Sequence, residues 1–452
     1  MITNAKEIAI TPAREKALEI VNAGYSAIEI EAVIADRISL KNDLLTIRFF
    51  DSKKRRTSKI TANLKRFEKI ALIGFGKGSA LACAYASKIL GKRLGLGIAL
   101  DTSEPKFPVK GVDFFIGTHP LPSEANVKAT QKIIAEVKRL REKDLLIVFT
   151  CGGGSALATA TMAEMEHVIL ATKELTKAGA DIIELNTVRK HLSIFKGGGL
   201  AKVAYPAKVI SLIVSDILGN DLSMVASGPL VMDKTTKAGA EKILKKYLGK
   251  PPLEEELFRS LNETPKDEKF FKNIENILFI RSEDALLAMA EKAKKLGFKA
   301  KIESFALKGE AKAILVPLIK KVKGGEAIVA GGESTVTLKN QKSKIKNQNI
   351  GKGGRNMEAV LGAILNFRFQ ISNNLVVVSF ASDGRDNTEA AGVIGDVLTL
   401  GRAKKLKLDP KTFLRVHDTF HFFKKTGDLI FADKNCFNVS DLMLVLKSAN
   451  SE

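Results

Sequence analysis

The chain has 452 residues, more than a single hydrophobic core usually serves, so two domains are expected. Its hydrophobic fraction of 45% and charged fraction of 27% are typical of globular proteins and exclude a largely disordered chain. The net charge of +22 would suit a polyanionic partner, but no zinc-finger spacing or aromatic–basic motif accompanies it, so nucleic acid is not the expected partner.

The cysteines and the first residues predict where the protein works. Cys83, Cys151 and Cys436 are far apart and odd in number, which excludes a disulfide framework and indicates a reducing compartment. Residues 1–20 contain no apolar leader, and the longest apolar runs are too short to cross a membrane. We therefore expect a cytoplasmic protein with no membrane partner.

Short apolar runs alternate with helical segments along the chain. The runs are apolar at most positions, as in strands buried on both faces, and the alternation predicts parallel sheets with helical crossovers. The predicted strands lie in 69–76, 112–120, 144–154, 208–219, 276–282, 299–307, 326–334 and 374–384. The predicted helices cover 78–90, 124–142, 160–178, 283–296, 309–323 and 355–368.

Two stretches interrupt this pattern. Residues 235–275 are polar, contain a Pro-Pro pair and lack a buried strand, so a domain boundary is expected there. The lysine-rich stretch 339–347 is predicted to be an exposed loop.

Unusual turns follow the predicted strands at their carboxyl ends, where open α/β sheets bind ligands. GFGKGSA (74–80) lies between a strand and a helix, so Gly76 and Lys77 are candidates for anion binding at the helix start. The turn lacks Walker A spacing and the third glycine of a dinucleotide-binding fingerprint, and we place no acid at the expected distance of about 20 residues further on.

A second turn, CGGGSA, follows the strand predicted at 144–154. Its Gly152, Gly153, Gly154 and Ser155 could form a nest of backbone amides that binds an anion. Close packing of a helix against the strand explains the glycines equally well.

Two further segments join cations to glycines. In RKHLSIFKGGGLA, Arg189 and Lys196 precede or flank a glycine run, which predicts another anion-facing surface. In GKGGRNME (351–358), Arg355 can grip phosphate or carboxylate through two parallel hydrogen bonds. The neighbouring candidates for ligand binding are Gly353, Gly354 and Asn356.

Carboxylates also follow buried strands. Asp216 and Asp383 each come directly after an apolar run, where an acid needs a cation or hydrogen-bond donors, and Glu333 lies in a further such turn. Only five histidines are present, none at metal-ligand spacing, so these oxygens favour Mg²⁺ over zinc. Together, these acids and the cations Lys77 and Arg355 are the kinds of residue that phosphoryl transfer requires.

Eight motifs in a fixed order identify a family. They are GKGSA (76–80), THPLPSEANVKAT (118–130), CGGGSALA (151–158), VRKHLSIFKGGGLA (188–201), SDILGNDLSMVASGP (215–229), GGESTVTL (331–338), GKGGRNMEAVLGA (351–363) and SDGRDNTEAAG (382–392). By these motifs the chain resembles the class II glycerate 2-kinases of the DUF4147/MOFRL type, nearly end to end. The resemblance implies phosphorylation of D-glycerate at its 2-hydroxyl by ATP and Mg²⁺, giving 2-phosphoglycerate and ADP.

The resemblance also implies an architecture. It predicts a Rossmann-like N-terminal domain with a parallel sheet over 1–235, a connecting helical segment over 236–275 and a smaller α/β domain over 276–452. The active site is expected in the cleft between the domains. The implied partners are glycerate and ATP, and a homodimer is left open.

Site residues follow by position. The family's essential cations correspond to Lys77 and Arg355, its cleft carboxylates to Asp216, Glu333 and Asp383, and its asparagine near the C-terminus to Asn438. We expect Arg355 to hold the carboxylate of glycerate and Lys77 to stabilise the γ-phosphoryl group. Either Asp216 or Asp383 would bind Mg²⁺ while the other accepts the hydroxyl proton.

One segment departs from the family. The chain reads FADKNCFNVSDL (431–442) where relatives carry a Gly/Thr-rich loop of the form TGPTGTNVNDL, so the ring of Phe437 is expected to reshape that wall of the site. Two alternatives stay open. One is a hydroxypyruvate reductase, which needs a dinucleotide site, and the other is a catalytically silent anion- or RNA-binding homologue.

Overall fold

The computed structural model describes residues 1–51, 56–217, 219–249, 253–337, 350–367 and 374–449. The stretch 339–347 and the last residue of the helix predicted over 355–368 lie outside these ranges. The described chain forms two compact units, Ile30–Ile280 and Met1–Glu29 with Arg281–Glu452. We call them the parallel-sheet unit and the mixed-sheet unit.

The strands are β1 Ile38–Lys41, β2 Leu44–Asp51, β3 Arg56–Asn63, β4 Ile70–Phe75, β5 Leu96–Asp101, β6 Asp113–Ile116, β7 Leu145–Thr150, β8 Lys208–Val214, β9 Ile274–Ile280, β10 Lys299–Glu310, β11 Glu326–Thr335, β12 Leu375–Ala381, β13 Gly392–Gly395, β14 Leu429–Ile430 and β15 Asp441–Lys447.

The α-helices are α1 Ala5–Ile8, α2 Pro12–Ala27, α3 Ile30–Arg37, α4 Ser79–Leu90, α5 Glu124–Val137, α6 Gly154–Leu157, α7 Met162–Ala178, α8 Ile182–His191, α9 Gly199–Ala204, α10 Lys237–Tyr247, α11 Leu253–Ser260, α12 Ser282–Lys295, α13 Ala311–Ile314, α14 Val316–Lys321, α15 Arg355–Phe367, α16 Val397–Lys405, α17 Pro410–Arg415 and α18 Thr419–Thr426. Short 3₁₀ helices cover Leu64–Arg66, Gly91–Arg93, Val225–Ser227 and Glu268–Phe270.

Six parallel strands form the main sheet of the parallel-sheet unit, in the order β6-β5-β4-β7-β8-β9. β4 pairs with β7 along its whole length, and the chain runs outward from this pair in both directions. This is the doubly wound order, which confirms the expected Rossmann-like sheet. The point where the order reverses lies at the carboxyl ends of β4 and β7, the place where such sheets bind ligands.

Several elements of this unit were not predicted. β5, whose apolar run is interrupted by a glycine, was not predicted, and β1, β2 and β3 form a separate antiparallel sheet. β9, which the sequence assigns to the C-terminal domain, is the edge strand of the parallel sheet. The stretch 236–275, predicted to connect two domains, falls within this unit, where α10 and α11 pack against α7 and α8.

The mixed-sheet unit contains the order β10-β11-β15-β12-β13-β14. β10 and β11 are parallel, whereas β15 is antiparallel to both β11 and β12, and β13 and β14 continue antiparallel. The prediction of parallel sheets is therefore wrong for most of this unit. The reason is that the last strand of the chain inserts between two strands that helical crossovers would otherwise have joined as neighbours.

The first 29 residues belong to the mixed-sheet unit, not to the N-terminal domain expected over 1–235. Thr11 is the N-cap of helix α2, and its hydroxyl accepts from the N–H of Arg14. Pro12 occupies the first helical position. The Arg14 side chain is fully buried, and its Nε lies 2.6 Å from Oδ2 of Asp396 while its Nη1 lies 2.7 Å from Oδ1 of Asp428. This ion-pair cluster ties α2 to residues near the other end of the chain.

None of the helices in the described ranges combines the length and apolarity needed to traverse a lipid bilayer.

Candidate active site

The turns after β4 and β7 are joined where the strand order reverses. Lys77 donates its N–H to the carbonyl oxygen of Gly152 at 2.9 Å, and Cys151 donates to Phe75 at 3.0 Å. Gly76 has a φ of +106°, and a Cβ there would lie 2.3 Å from the carbonyl oxygen of Cys151. Glycine is thus required at this position because two backbones meet there.

The start of α4 already has an acceptor. The N–H of Ala80 donates to Oδ2 of Asp101 at 3.1 Å, Gly78 also donates to this carboxyl, and burial raises the pKa of Asp101 to about 6. This acid is the last residue of β5 and was not recognised in the sequence, because β5 itself was not predicted. Its carboxylate occupies the helix start that GFGKGSA had suggested for an external anion.

Lys77, His119 and Asp216 surround the glycines that follow β7. A Cβ at Gly152 would lie 2.0 Å from Oδ2 of Asp216. At Gly153, whose φ is +79°, a Cβ would lie 3.1 Å from Cδ2 of His119 and 3.4 Å from Cγ of Lys77. The glycines therefore allow a cation, an imidazole and a carboxylate to approach one turn.

A cavity of about 240 Å³ opens beside this turn. Gly153, Ser155 and Asp216 line one part of it, and α7 and α8 supply another wall. The remaining lining residues are His119, Pro120, Leu121, Pro122, Ala156, Val168, Thr172, Ile182, Asn186, Arg189, Ile217, Met224 and Ala226. Ser155 is fixed by a 2.9 Å hydrogen bond between its Oγ and that of Ser227. A Cβ at Gly154 would lie 2.7 Å from that of Ala226, so this glycine serves packing.

The cations of the VRKHLSIFK motif are used differently from one another. Arg189 lines the cavity, and burial lowers its pKa. Lys196 is fully buried, and its Nζ lies 2.5 Å from Oε1 of Glu164 and 2.9 Å from the carbonyl oxygen of Ala158. Lys196 does not line the cavity. Its charge is compensated by Glu164 inside the parallel-sheet unit, so Lys196 does not contribute to the expected anion-facing surface.

In the mixed-sheet unit, Arg355 lies between two carboxylates. It begins α15, its Nη1 lies 2.5 Å from Oε1 of Glu333, and its Nε lies 2.5 Å from Oδ2 of Asp441. Burial acts to lower the pKa of Arg355, but these two carboxylates more than offset that effect and raise it. The positive charge of Arg355 is therefore already compensated by the protein.

Asn356 joins this cluster to a buried acid. Its Nδ2 donates to Asp386 at 3.2 Å and to Asp441 at 3.0 Å, and its Oδ1 accepts from Ser379 at 2.6 Å. Asp386 also accepts from the N–H groups of Asn356 and Met357, which caps α15. Burial, reinforced by the charge of Asp441, raises the pKa of Asp386 to about 7. All four polar atoms of the Asn356 and Asp386 side chains face protein partners.

The glycines before α15 accommodate neighbouring protein. A Cβ at Gly353 would lie 2.4 Å from Oγ1 of Thr419, and one at Gly354 would lie 2.2 Å from Cγ of Asp386. Because neither glycine carries a side chain, α15 can begin in direct contact with α18 and with Asp386, the acid that caps it. Packing accounts for these two positions without a ligand.

Asp383 and Asn438 lie on turns of the same unit. The N–H of Arg385 donates to Oδ1 of Asp383 at 3.2 Å, and that of Ser440 donates to Oδ1 of Asn438 at 3.1 Å. Phe437 is fully buried, and its N–H donates to the carbonyl oxygen of Ile28. Its ring therefore packs in the core.

Three or more His, Cys, Asp or Glu side chains grouped around a metal-sized space are absent from the ranges that the structure describes. Mg²⁺ demands less, because it retains waters and substrate phosphates and takes only one or two protein carboxylates. The carboxylate of Asp216, beside the cavity, is of the kind that suits this ion.

Besides Asp101, sequence reasoning missed four residues of these sites. Asp441, which contacts Arg355, begins β15, whereas Asp216 and Asp383 follow their apolar runs, so the signal that marked those two acids did not mark Asp441. His119, Thr172 and Asn186 line the cavity. Thr172 and Asn186 lie on helices and carry no distinguishing local pattern, so only the packing of α7 against α8 reveals them.

Comparisons with known proteins identify the family. Residues 16–262 match the family described as a domain of unknown function, DUF4147, and residues 326–441 match the MOFRL family. A D-glycerate 2-kinase from Thermotoga maritima is 32% identical over 405 residues, which cover 86% of this chain and 94% of that protein. The chain belongs to the class II glycerate 2-kinase family.

Two further matches concern the fold of this glycerate 2-kinase family member and the hydroxypyruvate reductase alternative. The crystal structure of a glycerate kinase from Thermotoga maritima has a TM-score of 0.79 and 29% identity, and the match covers 96% of this chain and 99% of that one. A protein from Agrobacterium vitis, provisionally named a hydroxypyruvate reductase, is 33% identical over 392 residues, 84% of this chain and 87% of that protein.

Proposed function

We propose that this protein transfers the γ-phosphoryl group of ATP to the 2-hydroxyl of D-glycerate, forming 2-phosphoglycerate and ADP. The observation that carries the proposal is the gathering of Lys77 and Asp216 around glycine turns at the reversal point of the parallel sheet. It occurs in a chain that a D-glycerate 2-kinase matches over most of its length. Phosphoryl transfer depends mainly on positioning and charge compensation, which these groups can supply.

The proposed roles follow from charge and position. Lys77 stabilises the negative charge of the transferring group. Asp216 and Asp383 are the candidates for accepting the hydroxyl proton and for binding Mg²⁺, with one acid in each role. When bound, Mg²⁺ would neutralise charge on the phosphate oxygens. The protein's own contribution is to hold the acceptor hydroxyl, the base and the cation in fixed positions.

The test is a coupled assay of ADP release with D-glycerate, L-glycerate and related hydroxy acids, followed by NMR of the product to locate the phosphate. We expect turnover with D-glycerate and phosphate on the 2-oxygen. Turnover absent with every hydroxy acid would refute the kinase proposal, and phosphate on the 3-oxygen would refute its regiochemistry.

The hydroxypyruvate reductase alternative can be tested on the same preparation. A dinucleotide enzyme of this fold would present the N–H groups at the start of α4 to the pyrophosphate. Here the carboxylate of Asp101 already accepts from Ala80 at that helix start. We therefore expect no oxidation of NADH or NADPH by hydroxypyruvate, and steady oxidation would favour the reductase.

The reducing cytoplasm remains the proposed location. Cys83, Cys151 and Cys436 are all buried and free. Burial raises the pKa of each thiol, so none carries the reactive thiolate of a redox site.

A further inference from the structure

Arg189 and Arg355 differ in what compensates their charge. Arg355 contacts the carboxylates of Glu333 and Asp441, each at 2.5 Å. Arg189 contacts only neutral groups, the hydroxyl of Thr172 and the side-chain amide of Asn186, and pairs with no carboxylate in the described part of the chain. A partly buried guanidinium without a carboxylate is costly unless an anion completes its surroundings.

The contacts of Arg189 fix its orientation. Thr172 donates its hydroxyl proton to the carbonyl oxygen of Val168 at 2.6 Å, so its oxygen presents lone pairs to Arg189. That oxygen accepts from Nε at 3.3 Å and from Nη2 at 3.1 Å, and Asn186 accepts from Nη1 at 3.5 Å. These contacts engage three of the five N–H donors that a guanidinium carries, which leaves donors for a ligand.

The neighbouring cations of the same motif do not share this arrangement. Lys190 lies 3.2 Å from Asp233, and Lys196 lies 2.5 Å from Glu164, both in buried ion pairs. Of the three cations in one motif, Arg189 alone lines the cavity, and it alone lacks a carboxylate partner among the described residues.

We propose that Arg189 binds the carboxylate of the hydroxy-acid substrate within the cavity of the parallel-sheet unit, the role that the sequence had assigned to Arg355. Thr172 acts as a positioning residue that holds the guanidinium. This inference rests on the proposed kinase function and specifies how its substrate is bound.

The cavity favours the small substrate over the phosphates of ATP as the source of the anion. Its volume of about 240 Å³ suits a three-carbon acid, whereas an ATP-sized ligand needs a larger site. Asp216 lines the same cavity and offers a carboxylate to the hydroxyl next to the bound acid group. A guanidinium also matches the flat, forked shape of a carboxylate.

The decisive variant is Arg189→Met, assayed for KM of D-glycerate and of ATP separately. We expect KM for D-glycerate to rise roughly 100-fold, with KM for ATP changed less than about twofold, because one charge-assisted contact to the acid is lost. Arg189→Lys should recover part of the loss. Thr172→Val, nearly equal in volume, should raise the same KM about fivefold by loosening the guanidinium.

A neutral analogue provides a second measurement. Glyceramide replaces the carboxylate by an uncharged amide, so the wild type should strongly prefer D-glycerate over it. Arg189→Met should lose most of that preference. The matched control is Arg139→Met, which removes a charge from an exposed side chain of the same unit and should leave both KM values unchanged.

The outcomes separate the possibilities. A raised KM for ATP alone would assign the anion to a phosphate and overturn the proposal, as would unchanged constants or an unchanged preference over glyceramide. Thermal melting of each variant identifies misfolding. If Arg189→Met misfolds, the KM values of Arg189→Lys and Thr172→Val test the proposal in its place. Failure of the kinase proposal itself would appear differently, as wild-type protein that turns over no hydroxy acid.

Discussion

Nε of Arg355 lies 2.5 Å from Oδ2 of Asp441, a carboxylate whose side chain is 1% exposed. Asp441 begins β15, the central antiparallel strand of the mixed sheet, and Arg355 begins α15. A helix start and a strand start are thus held together by one ion pair. The guanidinium is positioned by the fold itself, in contrast to a side chain that only a ligand would order.

Asp441→Asn should weaken that positioning. Asparagine keeps an acceptor for Asn356 but removes the charge opposite Arg355. Because Arg355 corresponds by position to a cation that the family resemblance implies is essential, we expect kcat to fall roughly 10- to 100-fold. KM for D-glycerate should change little, because Arg189 is proposed to bind its carboxylate. Steady-state kinetics measure both, with Asp409→Asn, an exposed acid of the same unit, as the control. A normal kcat would mean that Glu333 suffices to hold Arg355.

Gly152→Ala tests the turn beside Asp216. The new Cβ would lie 2.0 Å from Oδ2 of Asp216, a side-chain end that can move at small cost in stability. We therefore expect kcat to drop at least 10-fold while the melting temperature changes by only a few degrees. Gly401→Ala, at an open position in α16, is the control and should retain activity. Full activity of Gly152→Ala would remove Asp216 from the proposed chemistry.

Lys196→Met should reveal a structural residue. Removing it leaves the buried carboxylate of Glu164 without its cation, which costs about 3–5 kcal/mol of unfolding free energy. Urea unfolding of the parallel-sheet unit measures the loss, and Lys202→Met, an exposed lysine on α9, should show none. Unchanged stability together with a raised KM would instead support the original prediction that Lys196 binds a ligand.

Asp386 should make stability depend on pH. Burial raises its pKa from the ordinary 3.8 to about 7, so the folded state holds the proton more tightly than the unfolded state. Its contribution is complete below about pH 4 and is lost as the pH rises through 7. Asp386→Asn keeps an acceptor for α15 but cannot ionise.

Melting temperatures at pH 5 and pH 8 check this effect. The variant's melting temperature, relative to the wild type, should be higher at pH 8 than at pH 5. An equal difference at both values would show that Asp386 ionises normally in the fold. Asp409→Asn serves again as the exposed control.

The sequence predicted residues whose position depends on where a strand ends. Lys77 and Asp216 follow β4 and β8 as expected, because long apolar runs mark buried parallel strands and their carboxyl ends share one edge. It could not predict which cations bind ligands. Lys196 and Arg189 look equivalent in one motif, and only the tertiary contacts with Glu164 and Thr172 distinguish them.

The same limit applies to topology. Antiparallel insertion of β15 depends on its pairing with β11 and β12, which no local pattern encodes. The helical residues 12–27 gave no sign that they would join a unit built mainly from the opposite end of the chain. Their decisive contact, from Arg14 to Asp396 and Asp428, spans most of the sequence.

That long-range contact sets an order for biosynthesis. On the ribosome, Ile30–Ile280 emerges complete and can fold while translation continues, whereas α2 must wait until Asp428 has left the exit tunnel. Until then the apolar face of α2 has no partner and is a natural target for chaperones. An affinity tag fused ahead of Met1 would therefore lie next to the part of the molecule that folds last, not next to the part that folds first.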